Sequence, residues 1–100
     1  MLKNKNDSRI IKSDHSFNIY GGGNVYLDGE FKEGSLILVS NVFGEEYDSE
    51  KTYRLSKEET KRLFEKISFE EFVELCRAKR LEGLEEYLRD NGIQYDSFTF

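Results

Sequence analysis

The sequence predicts an α+β domain. It should be an antiparallel sheet of four or five strands, spanning about residues 9–55 and a C-terminal strand near 94–100, with two or three helices on one face. Three observations carry that expectation. Short β-like runs recur between turn signals through the first half of the chain. Two helix starts follow, Ser56-Lys57-Glu58-Glu59 and Ser68-Phe69-Glu70-Glu71. Each has the form in which a serine oxygen accepts from the N3 amide while the N3 glutamate reaches back. Asn91-Gly92 then closes the helical stretch, and the remainder is β-like again.

Residues 1–8 are polar and aperiodic and read as a tail before a single domain at 9–100. Arg9-Ile10-Ile11-Lys12 reads as a short strand. Phe17 and Ile19 alternate with Asn18 and Tyr20 in a second, and Gly21-Gly22-Gly23-Asn24 breaks it. Val25 and Leu27 flank Tyr26. Asp28-Gly29 reads as a tight turn, with Glu30-Phe31-Lys32 as the returning arm and Glu33-Gly34 as another turn. Ser35 to Phe43 is the most apolar run. Leu36 to Val39 has no polar residue to give to solvent, which predicts a central strand covered on both faces. A polar loop at 44–50 leads to Lys51–Leu55, with Tyr53 and Leu55 facing inward.

The first helix, 57–67, carries Leu63, Phe64 and Ile67 on one side and a Glu58–Arg62 pair at i, i+4 on the other. The next shows Phe69, Phe72, Val73 and Cys76 as one stripe. Leu81, Leu84 and Leu88 continue an apolar face one residue out of phase. That slip predicts a break near Ala78-Lys79-Arg80, giving helices at 69–78 and 80–91. Gly83 costs about 1 kcal/mol against alanine in a helix, so a close approach by a neighbouring element is expected there. Ile93 should fold back on Leu88, and Phe98 and Phe100 share a face.

One cysteine forms no internal disulfide, so the fold needs no oxidising compartment. The longest aliphatic run falls far short of the ~20 residues of a membrane span. Met1 to Asn6 lacks the apolar segment of a secretory signal, so a cytoplasmic location is expected and the Asn6-Asp7-Ser8 sequon carries no weight.

The net charge of −5 is unevenly placed. Residues 1–12 carry four basic and one acidic side chain, and residues 13–50 carry one and eight. Residues 51–67 carry six and three, and residues 68–100 carry four and eight. Such blocks do not describe a uniformly basic nucleic-acid binder. They suit an acidic surface presented to a basic protein, because complementary fields steer encounter.

No catalytic motif stands out. The triple glycine precedes β-like Val25-Tyr26-Leu27, where a phosphate loop needs a helix and a Lys-Ser/Thr pair. His15 lies between Asp14 and Ser16, but sequence neighbours in a strand point to opposite faces and make no triad. Cys76 sits on an apolar stripe and reads as core. One histidine and one cysteine are too few for a structural zinc site. Glu45, Glu46, Asp48 and Glu50 lack the spacing of a calcium loop. Neither metal nor cofactor is expected. Arg77, Lys79 and Arg80 read as a helix end facing its dipole, and Tyr20, Tyr26 and Tyr47 near turns are candidate interface anchors.

The leading functional expectation is therefore a small acidic protein that is not an enzyme and binds a basic partner protein. Its candidate contacts are Glu45, Glu46, Asp48 and Glu50 on the loop and Glu82, Glu85, Glu86 and Asp90 on the last helix. In size, acidity and lack of a catalytic centre it resembles in type the toxin-neutralising immunity proteins and phage-type inhibitors. A second reading is a nucleic-acid-associated regulator using Arg54, Lys57, Lys61, Arg62 and Lys66, and a third is a small hydrolase built on His15 or Cys76.

Overall fold

Two tight turns fix the register of the first three strands. In the computed structural model, which describes residues 14–44 and 48–99, β1 is His15–Gly22, β2 is Val25–Lys32 and β3 is Ser35–Phe43. Gly23-Asn24 joins β1 to β2, with Gly23 at φ 59° as a type II′ turn requires at its first central residue. Glu33-Gly34 joins β2 to β3 with both residues left-handed, φ 52° and 84°, the type I′ pattern. Glycine takes that conformation freely. Glu33 does not, and its amide is held by a 2.9 Å hydrogen bond to Asp14 Oδ1.

The chain continues through β4 (Asp48–Leu55), α1 (Lys57–Lys66), α2 (Phe69–Asp90) and β5 (Asp96–Thr99). The strands form one five-stranded antiparallel sheet in the order β1-β2-β3-β4-β5. Both helices pack on the face that carries Leu27, Phe31, Leu36, Leu38, Tyr53 and Leu55. This is the expected α+β architecture, with helices on one side of the sheet. The expected tail and the strand at 9–12 lie outside the described residues, as do Glu45, Glu46, Tyr47 and Phe100.

Two strand expectations need correction. Asp28-Gly29 is not a turn: β2 runs straight through it, with Asp28 opposite Asn18 and Val39, and Gly29 opposite Phe17 and Leu38. The Phe17 ring lies over Gly29, in the space that a Cβ would need. A glycine in mid-strand here marks the close approach of a ring. Nor is β3 covered on both faces. Burial alternates along it, with Leu36, Leu38 and Ser40 buried and Ile37 and Val39 half-buried on the helix-free face. Ile37 and Val39 are shielded sideways by neighbouring strands, and continuous apolarity does not distinguish that from burial under a second layer.

Aromatic contacts and the fully buried hydroxyl of Thr60 tie the core together. Phe64 sits edge-on to Phe31 and Phe72 at 5.7 and 5.5 Å, and Phe17 edge-on to Phe69 at 4.9 Å. Such pairs add about 0.5–1.5 kcal/mol beyond area burial. Thr60 Oγ1, fully buried, accepts from the Leu36 amide at 3.0 Å and donates to the Leu55 carbonyl at 3.3 Å. It thereby bolts α1 to the ends of β3 and β4, and its own hydroxyl is both donor and acceptor.

The second capping box is complete: Ser68 Oγ accepts from the Glu71 amide at 3.1 Å, and Glu71 Oε1 accepts from the Ser68 amide at 2.8 Å. The first is half made. Ser56 Oγ accepts from the Glu59 amide at 3.2 Å, but the Glu59 carboxylate turns to the Gln94 amide at 2.9 Å and to Arg62 at 3.2 Å. The expected Glu58–Arg62 pair is thus replaced by Glu59–Arg62, because Glu59 also reaches the segment leading into β5. α2 closes in a Schellman motif, with Gly92 at φ 67° and bonds from Gly92 N–H to the Arg89 carbonyl and Ile93 N–H to the Leu88 carbonyl.

The anticipated break in α2 falls at Arg80, whose φ of 61° and ψ of −161° lie outside the helical region. It is matched to an irregularity in β1. A bulge between Asn18 and Tyr20 inserts Ile19, and the Ile19 carbonyl accepts from Arg77 Nε at 2.7 Å while the Arg80 guanidinium lies 4.6 Å over the Tyr20 ring. Gly83 does accommodate a close neighbour, but from within its own helix: the Lys79 side chain fills the space of its missing Cβ across the break.

Candidate functional site

The carboxylates singled out by the sequence do not form one surface. Of Asp48 only the backbone is described, opposite Phe43 at the start of β4. Glu50 stands opposite Asn41 on the helix-free face of the sheet. Glu82, Glu85, Glu86 and Asp90 belong to the helical layer on the other side. They divide further. Glu82, Glu86 and Asp90 make an exposed stripe at i, i+4, i+8, whereas Glu85 turns toward the sheet. There it accepts from the Tyr53 hydroxyl and lies 3.4 Å from Lys51 Nζ. Burial, and then the bond to Glu85, push the Tyr53 hydroxyl up to about 12. Glu85 is a tether between α2 and β4, a role that counting charges along the chain does not reveal.

Ion pairs engage Glu59, Glu74 and Glu85 with Arg62, Arg77 and Lys51. Glu82, Glu86 and Asp90 have no ion pair among the described residues. Their spacing is unfavourable, since like charges at i, i+4 cost a few tenths of a kcal/mol per pair. Asp90, in the last turn, also opposes the helix dipole, whereas Glu82, just past the break at Arg80, sits in the first turn of the following segment, where an acid is favoured.

The second surface is the open face of the sheet, in which Tyr26, Glu50 and Arg54 are sequence candidates. Across the strands, Ser16, Glu30, Ile37, Arg54 and Asp96 form one row, and Asn18, Asp28, Val39, Thr52 and Phe98 the next. Gly21, Tyr26, Asn41 and Glu50 make a third, with Phe43 beyond. The Tyr26 ring leans over Gly21, where an added Cβ would meet it at 2.7 Å, and stands edge-on to Phe43 at 5.7 Å. Tyr26, Phe43 and Phe98 are 38%, 45% and 47% exposed, large apolar groups left in water. A depression of about 330 Å³ opens at one corner, beside Lys32, Ser35, Ile37 and Arg54. The alternation of Tyr26, Asp28, Glu30 and Lys32 was the available signal for this face. It was obscured by reading Asp28-Gly29 as a turn.

Cys76 is fully buried, and burial pushes its thiol up to about 12, the wrong direction for a nucleophile. His15 is exposed at the end of β1, 5.3 Å from the Phe31 ring centroid. Of the triple glycine, Gly21 and Gly22 end β1 and Gly23 opens the turn. Among the described residues, no three His, Cys, Asp or Glu side chains form a group that could hold a metal ion. Among the described residues no helix is long and apolar enough to cross a membrane. Arg77 and Arg80 are occupied in docking α2 to β1. Tyr20 is covered by Arg80, Tyr26 is exposed, and Tyr47 lies outside the described residues.

Fold and surfaces together define a small α+β protein: among the described residues, a five-stranded antiparallel meander with two helices on one face, inserted before the last strand. Compared with protein-family models, with curated proteins and with solved structures, the chain matches none.

Proposed function

We propose that this chain is a small acidic protein-binding module that engages a basic surface on another protein, in the manner of an immunity or inhibitor protein. The observation that supports the reading is the stripe Glu82, Glu86 and Asp90, exposed, without ion pairs among the described residues, and spaced so that its like charges repel. A feature that costs the fold and satisfies nothing inside it fits an attraction exerted on something outside it. Its field would draw in a cationic partner, an effect that weakens as salt rises.

The test is the triple reversal Glu82→Lys, Glu86→Lys and Asp90→Lys. The denaturation midpoint should change little, since the reversal at Asp90 suits the helix end while that at Glu82 opposes the start of the segment after Arg80. Capture of the partner from a native lysate at low salt should fall sharply, and association with the isolated partner should slow. Unchanged capture and an unchanged association rate would count against the stripe. Retention of single-stranded DNA by the wild type that is lost on reversing Lys61, Arg62 and Lys66 to glutamate would favour nucleic-acid binding instead.

A further inference from the structure

Resting on that reading, we infer that the contact surface itself is the open face of the sheet. Its occupant is a protein surface that presents an apolar or aromatic side chain ringed by lysine or arginine. The centre of the face is apolar: Ile37 and Val39 lie at its floor, with Tyr26, Phe43 and Phe98 exposed around them. Large aromatic groups in water around a small apolar floor, with polar and charged side chains between them, are the composition of an interface core and its frame. Tyr26 is also held in place, over Gly21 on one side and against Phe43 on the other. Little side-chain freedom therefore remains to be lost on binding, which favours an anchoring role.

Charge decides the occupant. Asp28, Glu30, Glu50 and Asp96 share this face with Lys32 and Arg54, leaving it acidic. The Asp28 carboxylate is fixed by a 2.8 Å bond from Asn18 Nδ2. A second copy laid face to face would set carboxylates against carboxylates. A cation-ringed apolar patch meets the centre with apolar groups and the frame with opposite charge, the complementarity that gives specificity as well as rate. The α2 stripe, in the other layer, supplies long-range attraction without being the contact.

The probe is a short synthetic peptide alternating lysine with phenylalanine, compared with oligolysine of equal charge and with a peptide alternating glutamate with phenylalanine. Binding is followed by NMR of the full chain. The lysine–phenylalanine peptide should shift the amides of Tyr26, Val39, Phe43 and Phe98, and bind at least tenfold more tightly than either control. Tyr26→Ser with Phe43→Ser should weaken it at least tenfold. So should Asp28→Lys with Glu30→Lys, which alters the frame and leaves the apolar centre alone, so that misfolding of the first variant does not decide the matter. Shifts confined to Glu82, Glu86 and Asp90 would overturn this inference while leaving the acidic-module reading standing. Shifts at neither surface would remove both. A dimer in sedimentation that dissociates in the Tyr26→Ser variant would assign the face to a second copy and overturn the proposal.

Discussion

Arg80 offers the sharpest test of the architecture, because two ordinary rules give opposite signs there. In a regular helix interior, alanine is preferred to glycine by about 0.8–1.0 kcal/mol. Arg80 sits inside the run of α2 but at φ 61° and ψ −161°, a region that is essentially glycine-only and costs other residues about 1–3 kcal/mol. Against this stands the greater freedom of glycine in the unfolded chain, which favours alanine by about 0.4–1 kcal/mol. The net expectation is that Arg80→Gly is more stable than Arg80→Ala by roughly 0.5–2 kcal/mol.

Both variants lose the guanidinium over Tyr20, so that loss cancels in the comparison. The assay is urea denaturation of the two variants at matched slope, with thermal melting alongside, where 1 kcal/mol moves the midpoint of a domain this size by about 4–8 °C. An alanine variant as stable as the glycine variant, or more so, would mean that α2 runs on as a regular helix. The account of the phase slip between Cys76 and Leu81 would then be wrong.

Three further outcomes are expected. Ser68→Ala should cost about 0.5–2 kcal/mol and more than Ser56→Ala, since Ser68 is nearly buried and makes both halves of its box; equal denaturation midpoints would refute the ranking. Cys76 should react with a thiol reagent at pH 8 far more slowly in the native protein than in denaturant. Because burial raises its thiol from 9.0 to about 12, its contribution to stability is complete below pH 9 and lost as pH climbs toward 12. An alkaline stability limb unchanged in Cys76→Ala would contradict that. Gly29→Ala, which elsewhere in a strand would gain about 0.5–1 kcal/mol, should instead lose about 1–3 kcal/mol by overpacking, because the Phe17 ring above it is wedged among Phe31 and Phe69; a raised midpoint would refute it.

What was legible from the sequence is what short-range chemistry decides. The Ser68 box, the Ser56 cap and the Asn91-Gly92-Ile93 stop each involve groups a few residues apart, so their letters suffice. The break in α2 was legible for another reason: Leu84 and Leu88 must reach the same core as Phe72 and Cys76, and a straight helix cannot present both sets. Its form was not legible, since arginine is an unfavourable residue for positive φ; Arg80 lies over Tyr20 while the neighbouring Arg77 bonds the Ile19 carbonyl, both in β1. Misreadings occurred where tertiary contact overrides a local signal. Asp28-Gly29 has turn chemistry, yet Phe17 claims that glycine. Glu85 has the look of a surface acid, yet Tyr53 and Lys51 draw it inward.

The two faces of the sheet use one device to different ends. On the helical face Phe17 lies over Gly29 and is packed by Phe69 and Phe31. On the open face Tyr26 lies over Gly21 and is flanked by Phe43, with its outer side in water. The same lesion should therefore have different consequences. At Gly21 an added Cβ meets Tyr26 Cδ2 at 2.7 Å, but that ring can swing into solvent. The small strain of Gly21→Ala is offset by the gain of about 0.5–1 kcal/mol from replacing a strand glycine, so stability should change little. What changes is the position of Tyr26. If the open face is the contact surface, Gly21→Ala should weaken binding of the lysine–phenylalanine peptide severalfold while the fold is unaffected. A denaturation midpoint that drops as far as that of Gly29→Ala would show that Tyr26 holds the sheet together and is not an anchor awaiting a partner.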